Sequence, residues 1–134
     1  MAKCYISEPD APRVRQLAQR ADRLHSSVWC LAEMACILHR HFRERSLTRQ
    51  QVARLLAALR ADVDAGVWTL LPLSDALIGK LEAEVARLPA HLFLRAGDAV
   101  HLVTARDAGF PEIWTNDRRL LDAAAQFGLR GRTA

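Results

Sequence analysis

The sequence predicts an open α/β sandwich: a parallel sheet with helices on both faces. Two observations carry this. Segments whose apolar residues follow helical spacing alternate with apolar pieces too brief to be helices, at Leu24 to Ser26, Val67 to Leu71 and Ile113 to Thr115. Polar clusters, His25-Ser26-Ser27 and Thr115-Asn116-Asp117, fall at the ends of two of these pieces. In open α/β sheets, sites form beyond the carboxyl ends of the strands.

Taken in order, the chain begins awkwardly for such a fold. Met1 to Ser7 leaves almost no room for an opening strand before Pro9, and Lys3, Tyr5 and Ile6 read as the tail of an earlier element. After the first short strand comes Val28 to Leu38, in which ten of eleven residues are apolar and the eleventh is Glu33. This predicts a central, buried helix. Thr48 followed by Gln51 is a capping-box pattern, and Val52, Leu55, Leu56, Leu59 and Val63 continue it as a helix that stops at Gly66. Ser74 opens a further helix that places Leu77, Leu81, Val85 and Leu88 on one face and ends at Pro89. Two more are expected, from about Gly97 to Gly109 and from about Arg118 to Gly128. No repeat, linker or composition break divides the 134 residues, so one domain spanning 1–134 is expected.

Composition narrows the function classes. A hydrophobic fraction of 51% argues against a disordered chain. No apolar run approaches the ~20 residues that span a bilayer, and Glu8, Pro9 and Asp10 arrive before any signal-like stretch, so a soluble, cytoplasmic protein is expected. Three cysteines (Cys4, Cys30, Cys36) without CxxC spacing give no zinc or disulfide framework and read as small hydrophobes. Nineteen basic residues against fifteen acidic give +4, a mild excess that permits a nucleic-acid partner without demanding one. Lys3 and Lys80 are the only lysines; the rest are arginines, which suit phosphate but also follow from high-GC codon usage.

Three acids stand out. Glu33 in its apolar helix is costly unless paired or bound to an ion, and an Arg partner or a polar pocket explains it equally well. Asp98 opens Gly97-Asp98-Ala99-Val100-His101-Leu102, where an acid in a first helical turn also complements the macrodipole. Asp117, between a strand and a helix, is also explained by N-capping. Together they sit at strand ends or in the helical turns that follow, places that a parallel sheet brings to one edge. Three converging carboxylates need a cation, and oxygen ligands point to Mg²⁺ or Mn²⁺ rather than zinc. Such an ion activates water and stabilises the charge of phosphodiester cleavage.

Competing chemistries are poorly supported. GxSxG, GxGxxG and GxxxxGK[ST] are absent, and no HxxxH pair exists. His101, one turn past Asp98, reads as a packed histidine. The arginine run Arg40, Arg43, Arg45, Arg49, Arg54 and Arg60 reads as a solvated face. If the acids bind a metal, Arg118, Arg119, Arg130 and Arg132, flanking Asp117 and the C-terminus, are the better candidates for contacts to a nucleic-acid phosphate backbone.

Lys3-Cys4-Tyr5-Ile6-Ser7-Glu8-Pro9, then Glu33 in its apolar helix, then Ala96-Gly97-Asp98-Ala99-Val100-His101-Leu102 and Thr115-Asn116-Asp117-Arg118-Arg119-Leu120 together resemble a PIN domain of the VapC-like ribonuclease-toxin type. The resemblance runs through essentially the whole chain. It implies a three-layer α/β/α sandwich with a parallel sheet, a Mg²⁺- or Mn²⁺-dependent endoribonuclease, a homodimer and a cognate antitoxin. It also implies metal and catalytic roles for Glu33, Asp98 and Asp117, with Thr115 and Asn116 as polar neighbours. The family's first acid, an Asp ending the opening strand, would precede Met1 here. A start placed too far downstream and a true truncation both account for this. A chain beginning at Met1 is therefore expected to be weak or inactive as a nuclease. The alternative reading is a degenerate, non-catalytic PIN domain that dimerises or binds an antitoxin or RNA. A plain α/β domain whose acids are caps and ion pairs is the third.

Overall fold

The computed structural model describes residues 1–134. Backbone contacts group them into two units, Met1–Leu70 and Leu71–Ala134, each described by itself.

In the first unit the opening residues form one helical turn, α1 (Ala2–Tyr5), and Ile6 follows it into the core. A helix not foreseen from sequence, α2 (Ala11–Arg20), starts behind Asp10 in a left-handed conformation (φ 67°), with proline in its first turn. Proline suits that position because the amide it lacks would have no helical partner there. β1 (Leu24–Ser27) leads into α3 (Cys30–Arg43).

Here the sequence expectation needs correcting. The stretch is apolar nearly all round, yet only the row Cys30, Met34 and Leu38 is buried, while Val28, Trp29 and Cys36 are exposed. Apolar composition measures a helix's capacity for burial and not its direction, and residues four apart share one face. The exposed Cys36 accordingly does not act as a core hydrophobe, whereas the buried Cys30 does. All three cysteines are free.

α3 ends in a Schellman motif. Arg45 takes φ 59°, its N–H donates to the Phe42 carbonyl at 3.1 Å, and the Ser46 N–H donates to the His41 carbonyl at 3.0 Å. His41 contributes its side chain as well, with Nδ1 at 2.8 Å from Ser46 Oγ and Nε2 at 3.4 Å from Glu8 Oε1. α4 (Arg49–Asp64) carries the expected capping box, with Gln51 N–H donating to Thr48 Oγ1 and Thr48 N–H to Gln51 Oε1. Gly66 just beyond it takes φ 77°. β2 is Trp68–Leu71.

The core of this unit is Ile6, Met34, Leu38, Leu59 and Trp68. A polar chain pins its edge: Trp68 Nε1–H donates to Tyr5 Oη at 2.9 Å, and the Tyr5 hydroxyl donates to Asp62 Oδ2 at 2.6 Å. One phenol thereby ties α1, α4 and β2 together.

In the second unit Ser74 Oγ accepts from Leu77 N–H at 3.2 Å, capping α5 (Asp75–Val85), which stops short of Pro89. α5 packs on α6 (Ala96–Asp107). After β3 (Glu112–Trp114) come α7 (Arg118–Ala124), a 3₁₀ turn (Ala125–Phe127) and β4 (Arg130–Arg132), a strand the sequence reading missed. β3 and β4 run parallel, with Glu112 opposite Arg130 and Trp114 opposite Arg132. A Cβ on Gly131 would come within 2.8 Å of Leu121 Cδ2, so a larger residue there would displace the end of that side chain. Leu77, Leu102, Val103, Leu120, Ala123, Ala124, Phe127 and Leu129 form the core.

β1 pairs with β2 and β3 with β4, in two two-stranded sheets. The predicted α/β class is the observed one. No helix is long and apolar enough to cross a membrane.

Burial and the hydrogen bond to Asp62 push the Tyr5 phenol above its ordinary value of 10.0. Because the raised value favours the protonated form in the folded state, its stabilisation is complete below pH ~10 and is lost as pH rises beyond it. Tyr5 is the only tyrosine, so phenolate absorbance should stay absent until unfolding begins. Tyr5→Phe strands Asp62 and the Trp68 N–H and should cost about 1–3 kcal/mol in urea denaturation at neutral pH.

Candidate active site

The second unit brings two of the singled-out acids to one cation. Asp98 lies in the first turn of α6, placed by the turn that follows Arg95. Asp117 leaves the end of β3 and is the N-cap of α7, its Oδ1 accepting from Arg119 N–H at 2.9 Å. Capping, one of the two explanations offered by sequence, is therefore real, but it uses only one carboxylate oxygen. The other, Oδ2, accepts from Arg95 Nη2 at 2.6 Å, while Arg95 Nε donates to Asp98 Oδ2 at 3.1 Å. The two carboxylates thus share one guanidinium.

The charges explain the geometry. Two like charges this close are unfavourable unless a cation lies between them. They reciprocate by pushing the Arg95 guanidinium further up, Asp98 contributing most and Asp117 next. Asp98 is the more enclosed, with 13% of its side chain exposed against 39% for Asp117 and 50% for Arg95. The bridge is consequently open to solvent on the arginine side.

The polar neighbours divide. Thr115 supports the site directly: its Oγ1 accepts from the Asp117 N–H at 3.1 Å, fixing the backbone that presents the acid. Asn116 instead turns to the C-terminus, with Oδ1 accepting from Ala134 N–H at 3.2 Å. Of the four arginines, Arg130 and Arg132 pair with Glu112 at 3.9 and 3.3 Å. Glu112 is held below the usual carboxylate range, first by the Trp114 indole N–H and then by Arg132. Arg118 is exposed at the start of α7. Arg119 stacks over the Phe93 ring, 4.3 Å from its centroid. Glu33 belongs to the first unit, in the first turn of α3, partly buried and engaged with another group.

Sequence reasoning missed Arg95 and Phe93. The signal for Arg95 was its place three residues before Asp98, a spacing that puts the two side chains on one helical face. Nothing in the sequence linked Phe93 to Arg119.

In neither unit do three or more His, Cys, Asp or Glu side chains gather as around a bound metal. The donors at Asp98 and Asp117 nonetheless fit a hard divalent cation in kind: both are carboxylate oxygens and already converge on one positive charge. A cation held there supplies two things, a lowered pKa for coordinated water and neutralisation of phosphate charge.

The sequence matches the PIN domain family over residues 5–126, most of its length, and the chain belongs to that family. This is a nuclease-type fold whose members generally use divalent metal ions. No curated protein and no solved structure matches the chain.

Arg95→Gln removes the internal cation and keeps a hydrogen-bonding side chain. The variant's melting temperature should rise more on adding Mn²⁺ than the wild type's, because binding to the folded state alone stabilises it. A differential scanning fluorimetry series in Mn²⁺, with Ca²⁺ and Na⁺ as controls, reads this.

Proposed function

We propose that the protein is a Mg²⁺- or Mn²⁺-dependent endoribonuclease of the PIN type. The observation that carries this reading is that Asp98 and Asp117, which lie within the segment matched by a nuclease-type family, share a single cation. Their oxygens would hold the metal, and Thr115 would keep Asp117 in place for it. We assign Glu33 to the same chemistry on the order of its family-like segment, as the third acid. The family match passes through both units, which supports treating residues 1–134 as one working domain. RNA as substrate, a homodimer, a cognate antitoxin and a cytoplasmic setting belong to this reading through the resemblance to VapC-like toxins. Arg118 is the best placed of the four arginines for a phosphate, because Arg130 and Arg132 are paired to Glu112 and Arg119 is stacked.

One observation favours a second reading, a non-catalytic PIN domain that binds RNA, an antitoxin or a second copy. Arg95 already bridges both acids and offsets one of their two charges, so a cation of the chain's own occupies the position that a metal would take.

The two readings separate in a cleavage assay on a structured RNA with Mn²⁺ and with EDTA. The nuclease reading expects cleavage only with metal, and a loss of roughly a hundredfold or more in Asp98→Asn, the scale on which removing one charge-stabilising group acts. Cleavage that survives in Asp98→Asn contradicts the site. RNA retention unchanged by EDTA and by Asp98→Asn, without cleavage, selects the binding protein.

A further inference from the structure

Beside the two acids the second unit exposes an aromatic ring that no core contact explains. Phe93 is 57% exposed, more than any other large apolar side chain in the protein. It stands in the loop between α5 and α6, two residues before Arg95. One of its faces is covered by the Arg119 guanidinium, whose Cζ lies 4.3 Å from the ring centroid. Arg119 in turn donates its backbone N–H to Asp117 Oδ1, and Asp117 meets Arg95 through its other oxygen. Ring, guanidinium and carboxylates are therefore one contiguous patch. Burying a phenyl ring is ordinarily favourable by a few kcal/mol, so one held in water, backed by a cation, is suited to a ligand with a flat face.

We propose that Phe93, backed by Arg119, is a stacking platform for one unpaired base of a single-stranded RNA bound beside Asp98 and Asp117. The proposal deepens the nuclease reading, on which it rests for the choice of RNA. An unpaired base offers a π-face of the right size, and every base has one, so the platform selects strand state and not sequence. The Arg119 cation is attracted to the π face that it covers and fixes the ring's orientation. Arg118, exposed at the start of α7 and next in sequence to Arg119, supplies positive charge for the attached phosphates. Paired bases cannot reach the ring, because in a duplex both faces of each base are already stacked. The platform thereby restricts the site to loops, bulges and ends. Arg119 acts through the ring and is not a phosphate contact.

The test uses the full chain in EDTA, which prevents cleavage, and fluorescence anisotropy with a short fluorescein-labelled single-stranded RNA and its duplex. Phe93→Leu keeps an apolar side chain on the surface but removes the flat face; Phe93→Trp restores it. The expected result is a roughly five- to hundredfold weaker affinity for the single strand in Phe93→Leu, the range carried by one stacked base. Affinity should return in Phe93→Trp, with duplex binding unchanged in both. The salt dependence of binding should keep its slope in Phe93→Leu and in Arg119→Leu, whereas loss of a phosphate contact lowers the slope by about one. Equal single-strand affinity in wild type and Phe93→Leu, or a slope lowered in Arg119→Leu, overturns the platform. If the Phe93 effect appears but Mn²⁺ yields no cleavage, the platform stands and the nuclease reading falls. If cleavage is Mn²⁺-dependent but Phe93→Leu binds normally, the platform alone falls.

Discussion

Two carboxylates set side by side demand a cation, and the second unit is arranged around that demand. Asp98 stands in the first turn of α6 and Asp117 caps α7, so Asp117 cannot turn away without giving up its cap. Arg95 resolves the repulsion, reaching Asp98 with Nε and Asp117 with a terminal nitrogen. Even the supporting bond from the Asp117 amide to Thr115 serves to keep the acid facing that guanidinium. Helix starts, loop and arginine form one electrostatic unit.

An arginine and a divalent ion are alternative answers to the same repulsion. The guanidinium is bulky, planar and half exposed, so the bridge faces solvent and can open without unpacking the core. A small, doubly charged ion compensates two carboxylates more completely than one guanidinium does, since Coulomb energy scales with the product of charges. The position therefore combines a resting ion pair with donors suited to a metal, and the two proposed readings differ in which cation prevails there.

Much of this was legible in the sequence because it was written locally. The Thr48–Gln51 box, the Ser74 cap and the stop at Gly66 are short-range hydrogen-bonding or dihedral choices, and each appears where the spacing places it. Asp98 and Asp117 were recognisable by their positions next to a strand end or in a first helical turn. What was hidden depends on distant partners. β4 is three residues, Arg130-Gly131-Arg132, with no strand-like composition; its glycine lies against the Leu121 side chain, a neighbour brought there by packing. The burial of α3 was overstated because composition does not say which row of side chains meets the core. The pairing of Arg130 and Arg132 with Glu112, and the stacking of Arg119 on Phe93, likewise arise only once β3, β4 and α7 are packed.

The most direct test of whether Asp98 and Asp117 form a cation site open to metal is a Mn²⁺ titration by isothermal calorimetry on EDTA-stripped protein, with circular dichroism on the same sample. The structure predicts saturable binding in the wild type, absent in both Asp98→Asn and Asp117→Asn, with all three proteins folded. A folded wild type that takes up no Mn²⁺, or binding that persists in the Asp98→Asn protein, would contradict it.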